Sequence, residues 1–242
     1  MNIQIIFEDK NILVLNKPSG IVVHPYDFST EETILDFVEK YSPVCFSFEN
    51  TKKLQDGRSI NLGGMVHKLD RDTSGVLAIA KNKKVFDELQ QQFKNHTIQK
   101  EYIALVEGMV DLRPSRESTD SDSFIIDAPL GRSKKEYKQS VNPKNLRGGL
   151  RDAITEVHVL HRGTLCSLVK LVPKTGRTHQ LRAHMTSIGH PIVGDKAYGS
   201  KVPSPRIMLH AKKLSFSISG KNYMFEALPE DSFENIVLET IK

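Results

Sequence analysis

Five consecutive apolar residues, Val76-Leu77-Ala78-Ile79-Ala80, follow directly on the polar stretch His67-Lys68-Leu69-Asp70-Arg71-Asp72-Thr73-Ser74-Gly75. Asp, Thr, Ser and Gly favour turns, and a β-branched apolar run favours a buried strand, so a loop is expected to enter a strand here. A junction of this kind holds a side chain rigidly. Asp70, with Lys68 and Arg71 on either side, has reason to stay ionised, because an opposite charge within about 4–6 Å favours the carboxylate. An ionised, rigidly held carboxylate suits a nucleophile or a base.

The rest of the chain reads as strands with helices placed irregularly between them. Strands are expected at 3–7, 12–15, 98–106, 123–126, 153–160, 165–172, 208–210, 213–219 and 223–225. Ser29 with Glu32 has the capping-box pattern and predicts a helix to about Tyr41. Asn82 caps a second helix carrying Val85, Phe86, Leu89 and Phe93 at helical spacing. A third helix is expected over 178–188, closed by Gly189, and a fourth opens at Asp231 with Glu234. Residues 46–64 show no period and read as a loop, as does the polar stretch 111–123. Without a regular strand-helix alternation, the expected class is α+β with a mainly antiparallel sheet, in one domain spanning 1–242.

Composition narrows the class. The content is 38% hydrophobic and 26% charged, and no apolar run approaches the roughly 18 residues of a membrane span. The N-terminal Met1-Asn2-Ile3-Gln4 lacks the pattern of a secretory signal, so a soluble, cytoplasmic protein without a membrane partner is expected. Cys45 and Cys166 stand far apart in apolar surroundings and read as free core thiols. The net charge of +5 favours an anionic partner. That charge is concentrated in 131–151, where Arg132, Lys134, Lys135, Lys138, Lys144, Arg147 and Arg151 face Glu136 alone. Such a segment is either a solvated basic loop or a patch that follows a nucleic-acid backbone.

A second constellation is Lys174-Thr175-Gly176-Arg177-Thr178-His179-Gln180-Leu181-Arg182-Ala183-His184, at an expected strand-to-helix junction. Leu181, Met185 and Ile188 would share an apolar face, leaving Arg182 mounted on another with Thr178 and Thr186. His179 and His184 are five apart, which is wrong for two zinc ligands on a helix, and no metal site is expected. The stretch lacks the Gly-Lys-Ser/Thr end of a phosphate loop, and neither GxGxxG nor GxSxG occurs. No cofactor, nucleotide or otherwise, is expected.

Taken together, His67-Lys68-Leu69-Asp70 with Thr73-Ser74-Gly75 resembles the signature of the RluA family of RNA pseudouridine synthases. Asn16-Lys17-Pro18-Ser19-Gly20, Lys100-Glu101-Tyr102, Gly176–Arg182 continuing to Gly189-His190-Pro191 and Gly194-Asp195, and Met208-Leu209-His210-Ala211 resemble the same family in the same order. The resemblance implies the pseudouridine synthase fold, a mixed and mainly antiparallel sheet with flanking helices and a central RNA-binding cleft. It implies that Asp70 is the catalytic aspartate, Tyr102 the tyrosine packed against the target base, and Arg182 the partner that salt-bridges the aspartate. Leu209 falls in the strand lining the other side of the base pocket. The residues expected to contact RNA are Lys68, Arg71, Lys134, Lys135, Arg177, His179, Gln180 and Leu209. Lys68 stands where the family usually has arginine. It keeps the charge but lacks a planar group to stack.

The implied reaction converts uridine to pseudouridine in structured ribosomal or transfer RNA. It breaks the N1–C1′ bond, turns the base and joins C5 to C1′, so nothing is oxidised or hydrolysed. Extruding the base costs a few kcal/mol, and stacking on an aromatic face returns about 1–3 kcal/mol. Asp70 would act as a nucleophile on the sugar or as a base on a ribose proton. The alternative is a non-catalytic RNA-binding module of the same fold. A monomer is expected.

Overall fold

The strand expected after the polar turn forms as β5, and its seven residues, Ser74–Ala80, are all buried. The computed structural model describes residues 1–26, 30–111, 122–134, 138–142, 144 and 146–241. It contains two compact units, Met1–Gln99 with Ala211–Leu228, and Lys100–His210 with Pro229–Lys242.

The first unit opens with the antiparallel pair β1 (Gln4–Glu8) and β2 (Ile12–Lys17). Asp9 closes the turn by accepting from the amides of Asn11 and Ile12, at 2.7 and 2.9 Å. Helix α1 (Ile34–Tyr41) is capped by Thr33 reciprocally with Asp36, not by the expected pair of Ser29 and Glu32. Ser29 itself lies outside the described residues. The stretch read as a loop contains a hairpin, β3 (Thr51–Lys53) with β4 (Ser59–Asn61). Its strands are three residues long and largely exposed, so no apolar alternation announces them.

Helix α2 (Lys83–Lys94) starts where Asn82 accepts from the Val85 amide at 3.1 Å, as the cap signal predicts. It lays Val85, Phe86 and Leu89 into a core with Ile12, Val14, Val76 and Ala78. Burying several such side chains stabilises by about 1.5–3 kcal/mol each before the entropy cost is counted.

In the second unit, β6 (Gln99–Glu107), β7 (Ser123–Asp127), β11 (Ile154–Arg162) and β12 (Cys166–Pro173) are antiparallel neighbours in the order β6-β12-β11-β7. Between β7 and β11, the basic segment is a small sheet of β8 (Leu130–Ser133), β9 (Gln139–Ser140) and β10 (Leu146–Arg151) in the order β10-β8-β9. Neither form foreseen for it, loop or patch, included these strands. Their polar, glycine-containing sequence hides them.

Helix α3 (Gln180–Ser187) begins two residues later than expected, because His179 adopts the left-handed conformation with φ of 51°. It packs Leu181 and Met185 against Leu105, Val169 and Leu171. Strand β13 (Leu209–Ile218) is continuous where two strands were expected, and from Ala211 it belongs to the first unit. There it pairs with β14 (Lys221–Glu226) and completes the order β1-β2-β5-β13-β14. Gly75 is needed where β5 meets it: φ is +118°, and a Cβ would stand 2.2 Å from the Ala211 carbonyl oxygen.

The closing helix α4 (Asp231–Thr240) starts one residue after Glu230, with no side-chain cap. Cys45 and Cys166 are both free and buried, as expected. Among the described residues, the pairs β1–β2, β2–β5, β6–β12, β7–β11 and β13–β14 are antiparallel and four α-helices lie among the strands, the mainly antiparallel α+β class the sequence implied. Most of the expected loop 111–123 lies outside the described residues.

Candidate active site and nucleic-acid interface

Asp70 sits half-buried in a turn closed by the Thr73 amide donating to the Asp70 carbonyl at 3.2 Å. The turn is fastened from the end of β2. Lys17 is fully buried, and its ammonium donates to the carbonyls of Pro18, Ile21 and Arg71 at 2.9, 2.7 and 2.8 Å. The Gly20 amide donates to the Arg71 carbonyl at 3.0 Å, and the Ser19 hydroxyl to that of Asp72 at 2.8 Å. Ahead of the turn, His67 Nε2 accepts from the Ala78 amide at 3.0 Å while its ring stacks on Phe93, with centroids 4.8 Å apart. The carboxylate therefore stands on a loop pinned before, within and after its own position.

The cations expected beside it behave differently. Arg71 turns its guanidinium to Glu31 and the Tyr26 hydroxyl, both at 2.9 Å, so its charge is engaged there. Lys68 is exposed, and its charge, with that of Lys52, adds to burial in holding the His24 imidazole below its usual pKa.

In the second unit, Tyr102 lies half-buried on β6 opposite Leu171 and packs on the apolar core. Arg182, expected as the partner of Asp70, holds Asp195 within its own unit through a two-bond fork, Nε to Oδ2 at 2.6 Å and Nη2 to Oδ1 at 2.9 Å. Both side chains are almost wholly buried. The guanidinium also lies 4.9 Å from the centroid of Tyr198. The Tyr198 hydroxyl in turn accepts from the Gln139 amide at 2.8 Å and lies 3.2 Å from His179 Nδ1. Asp195 and Tyr198 went unassigned in the sequence reading, although Gly194-Asp195 stood within the quoted motif.

Gln180 corrects its own assignment. Its amide oxygen accepts from the Thr175 hydroxyl and the Arg177 amide, at 2.7 and 3.0 Å. Its amide nitrogen donates to the Ile154 carbonyl and the Thr155 hydroxyl, at 3.0 and 3.1 Å. With these four bonds made and only 4% of the residue exposed, it shapes the junction rather than reaching a ligand. His184 is wholly buried beside it, and burial holds its pKa below the ordinary value. Leu209 is buried in the core with Leu105 and Leu181.

The basic residues outline a groove of 530 Å³ whose lining includes Arg132, Arg147, Arg151, Gly176, Arg177 and Thr178. Arg147 donates to the Lys134 carbonyl at 2.8 Å and Arg177 to the Asp152 carbonyl at 3.0 Å. These guanidiniums bond to backbone carbonyls, and neutral acceptors leave the positive charge in place. His179 lines a smaller adjoining cavity of 140 Å³ with Lys138 and Gln139. Lys134 is exposed near the groove, and Lys135 lies outside the described residues. Among the described residues, no cluster of His, Cys, Asp and Glu suits a metal ion, and no helix is long and apolar enough to cross a membrane.

A carboxylate on a pinned loop, an aromatic on a strand and an arginine-lined groove suit chemistry on a nucleic acid. The model of the RNA pseudouridylate synthase family matches residues 11–187, and the chain belongs to that family. It is 36% identical over 241 residues to an uncharacterised RNA pseudouridine synthase of Bacillus subtilis, covering 98% of this chain and 72% of the relative. To the ribosomal large subunit pseudouridine synthase D of Borreliella burgdorferi it is 38% identical over 225 residues, covering 91% of this chain and 62% of the relative. Among solved structures, human RNA pseudouridylate synthase domain containing 1 superposes with a TM-score of 0.71 at 25% identity, covering 94% of this chain and 84% of that one. The activity of the family, isomerisation of uridine within RNA, is thus that of an RNA pseudouridine synthase.

Proposed function

We propose that the chain makes pseudouridine in the RNA of the large ribosomal subunit, working as a monomer in the cytoplasm and needing no cofactor. The substrate is inferred from relatives whose names specify the ribosomal large subunit. Asp70 supplies the carboxylate that acts on the ribose of the target nucleotide. Tyr102 offers the aromatic face for the turned-out base, a stack worth about 1–3 kcal/mol. Arg182 is a guanidinium fixed before substrate arrives. Arg177, Lys134 and the groove arginines hold phosphates, while Lys68 is free to enter the helix from which the base leaves.

The observation that carries this reading is the loop of Asp70, fastened by Lys17, Ser19 and Gly20 within a segment matched by the family model. A fixed carboxylate spends no free energy on orientation when the sugar arrives. In the reaction, the N1–C1′ bond breaks, the base rotates, C5 bonds to C1′, and the C5 proton is lost to solvent as N1 gains one. Release of tritium from a large-subunit RNA transcript carrying 5-tritiated uridine measures that last step. The wild-type chain releases tritium, and Asp70→Asn binds the transcript equally but releases none. Release that survives in Asp70→Asn overturns the assignment, and release only from transfer RNA moves the substrate.

A further inference from the structure

Lys100 is used by nothing described so far. It stands two residues before Tyr102 on β6, and residues two apart in a strand project from the same face, about 7 Å apart. It is half-buried, and burial alone pulls its ammonium below the usual lysine pKa. No hydrogen bond or ion pair reaches it from the described residues. Its Nζ lies beside the chain at Gly176, 3.6 Å from where a Cβ on that glycine would be. Gly176 also lines the arginine groove, with Arg177 and Thr178.

We propose that Lys100 is a phosphate-binding residue: its ammonium receives a backbone phosphate next to the uridine that stacks on Tyr102. This rests on the synthase reading above and extends it to a residue that reading leaves without a role. A withdrawn cation lacking an acid partner gains most from a full anion, because Coulomb attraction strengthens as water is excluded. A uracil carbonyl carries only partial charge and would compensate it less. The groove beyond Gly176 is already lined by arginines, so Lys100 extends the same track of positive charge to the face that carries Tyr102.

The test uses the full chain and a 5-tritiated transcript of large-subunit ribosomal RNA whose phosphates are sparsely ethylated. For the wild type, ethylation of one phosphate flanking the modified uridine impairs binding. For Lys100→Gln, that one interference disappears, affinity falls by about tenfold or more, and the salt slope of log affinity shrinks by about 0.7. Lys100→Arg restores the slope, which separates loss of charge from loss of fold. An interference pattern and slope identical in wild type and Lys100→Gln overturn the inference while tritium release leaves the synthase reading standing. A wild-type chain that releases no tritium overturns both.

Discussion

Arg182 and Asp195 meet through two hydrogen bonds, of 2.6 and 2.9 Å, in a place where both side chains are almost cut off from solvent. The arginine comes from α3, and Asp195 opens the short turn that carries Tyr198, so the fork ties a helix to the segment following it. Asp195 also accepts from the Tyr198 amide at 3.3 Å. Removing one member of a buried pair leaves the other charge uncompensated, which costs about 3–5 kcal/mol. Asp195→Ala therefore lowers the free energy of unfolding in urea by that much and abolishes tritium release. Arg182→Lys, which cannot form the fork, loses most of the activity with a smaller loss of stability. Equilibrium unfolding of both variants checks the ordering.

Lys17 does for the Asp70 loop what a structural ion does elsewhere. Lys17→Met removes the donor for three carbonyls, each costing about 1–3 kcal/mol if left unsatisfied. With partial relaxation, the expected loss is roughly 3 kcal/mol, accompanied by a fall in kcat greater than the change in KM. Unfolding curves and initial rates on the same preparation test the pairing of the two effects.

The groove arginines predict a graded salt response. Arg151→Glu and Lys134→Glu each weaken RNA binding, and each lost phosphate contact lowers the salt slope by about 0.7. Stability changes by less than about 0.5 kcal/mol, since both side chains are exposed. Filter binding between 50 and 300 mM salt, at roughly spaced steps around the usual range, reads the slope directly. An unchanged slope removes the segment from the RNA footprint.

His184 makes stability depend on pH. Its Nε2 lies 2.9 Å from the Ala128 carbonyl, to which it must donate, and its Nδ1 lies 2.9 Å from the Thr155 hydroxyl. The neutral ring satisfies both contacts, and burial outweighs the opposing pull of the Ala128 carbonyl and Asp127. A histidine whose folded pKa is depressed binds protons more readily when unfolded. Stability is therefore full above about pH 6.5 and falls as pH drops below it, towards the folded pKa. His184→Gln flattens the urea-unfolding free energy between pH 7 and pH 5, with a remainder due to His24, which is shifted in the same sense.

How far the sequence speaks depends on the range over which its signals act. The turn into β5 and the Asn82 cap were readable because their determinants lie within a few residues of each other. The Thr33 cap was missed because Ser29 and Glu32 offer the same local pattern a few residues earlier. Strands β8 and β10 were hidden because Arg147, Gly148 and Gly149 carry no alternation, and the pairing with Leu130–Ser133 joins segments that are not adjacent in sequence.

Asp70, Tyr102 and Arg182 were named from motifs, and the α3 mounting of Arg182 was foreseen from helical spacing. The fork to Asp195 was not foreseen, because it joins residues on two separate elements, thirteen positions apart. Arg71 was read as a neighbour of Asp70 from adjacency alone, yet Glu31, forty positions earlier, takes its charge. Gln180 looked like a ligand donor, and only the tertiary fold reveals that Thr175, Thr155 and the backbone consume its capacity.

The burial of Lys17 separates two responses to ionic strength. Dissolved ions screen charges they can approach, over a Debye length of about 8–10 Å near physiological salt, but the ammonium beneath the Asp70 turn is sealed among carbonyls. Concentrated electrolyte can thus strip a polyanion from the arginine surface while leaving the carboxylate's perch intact.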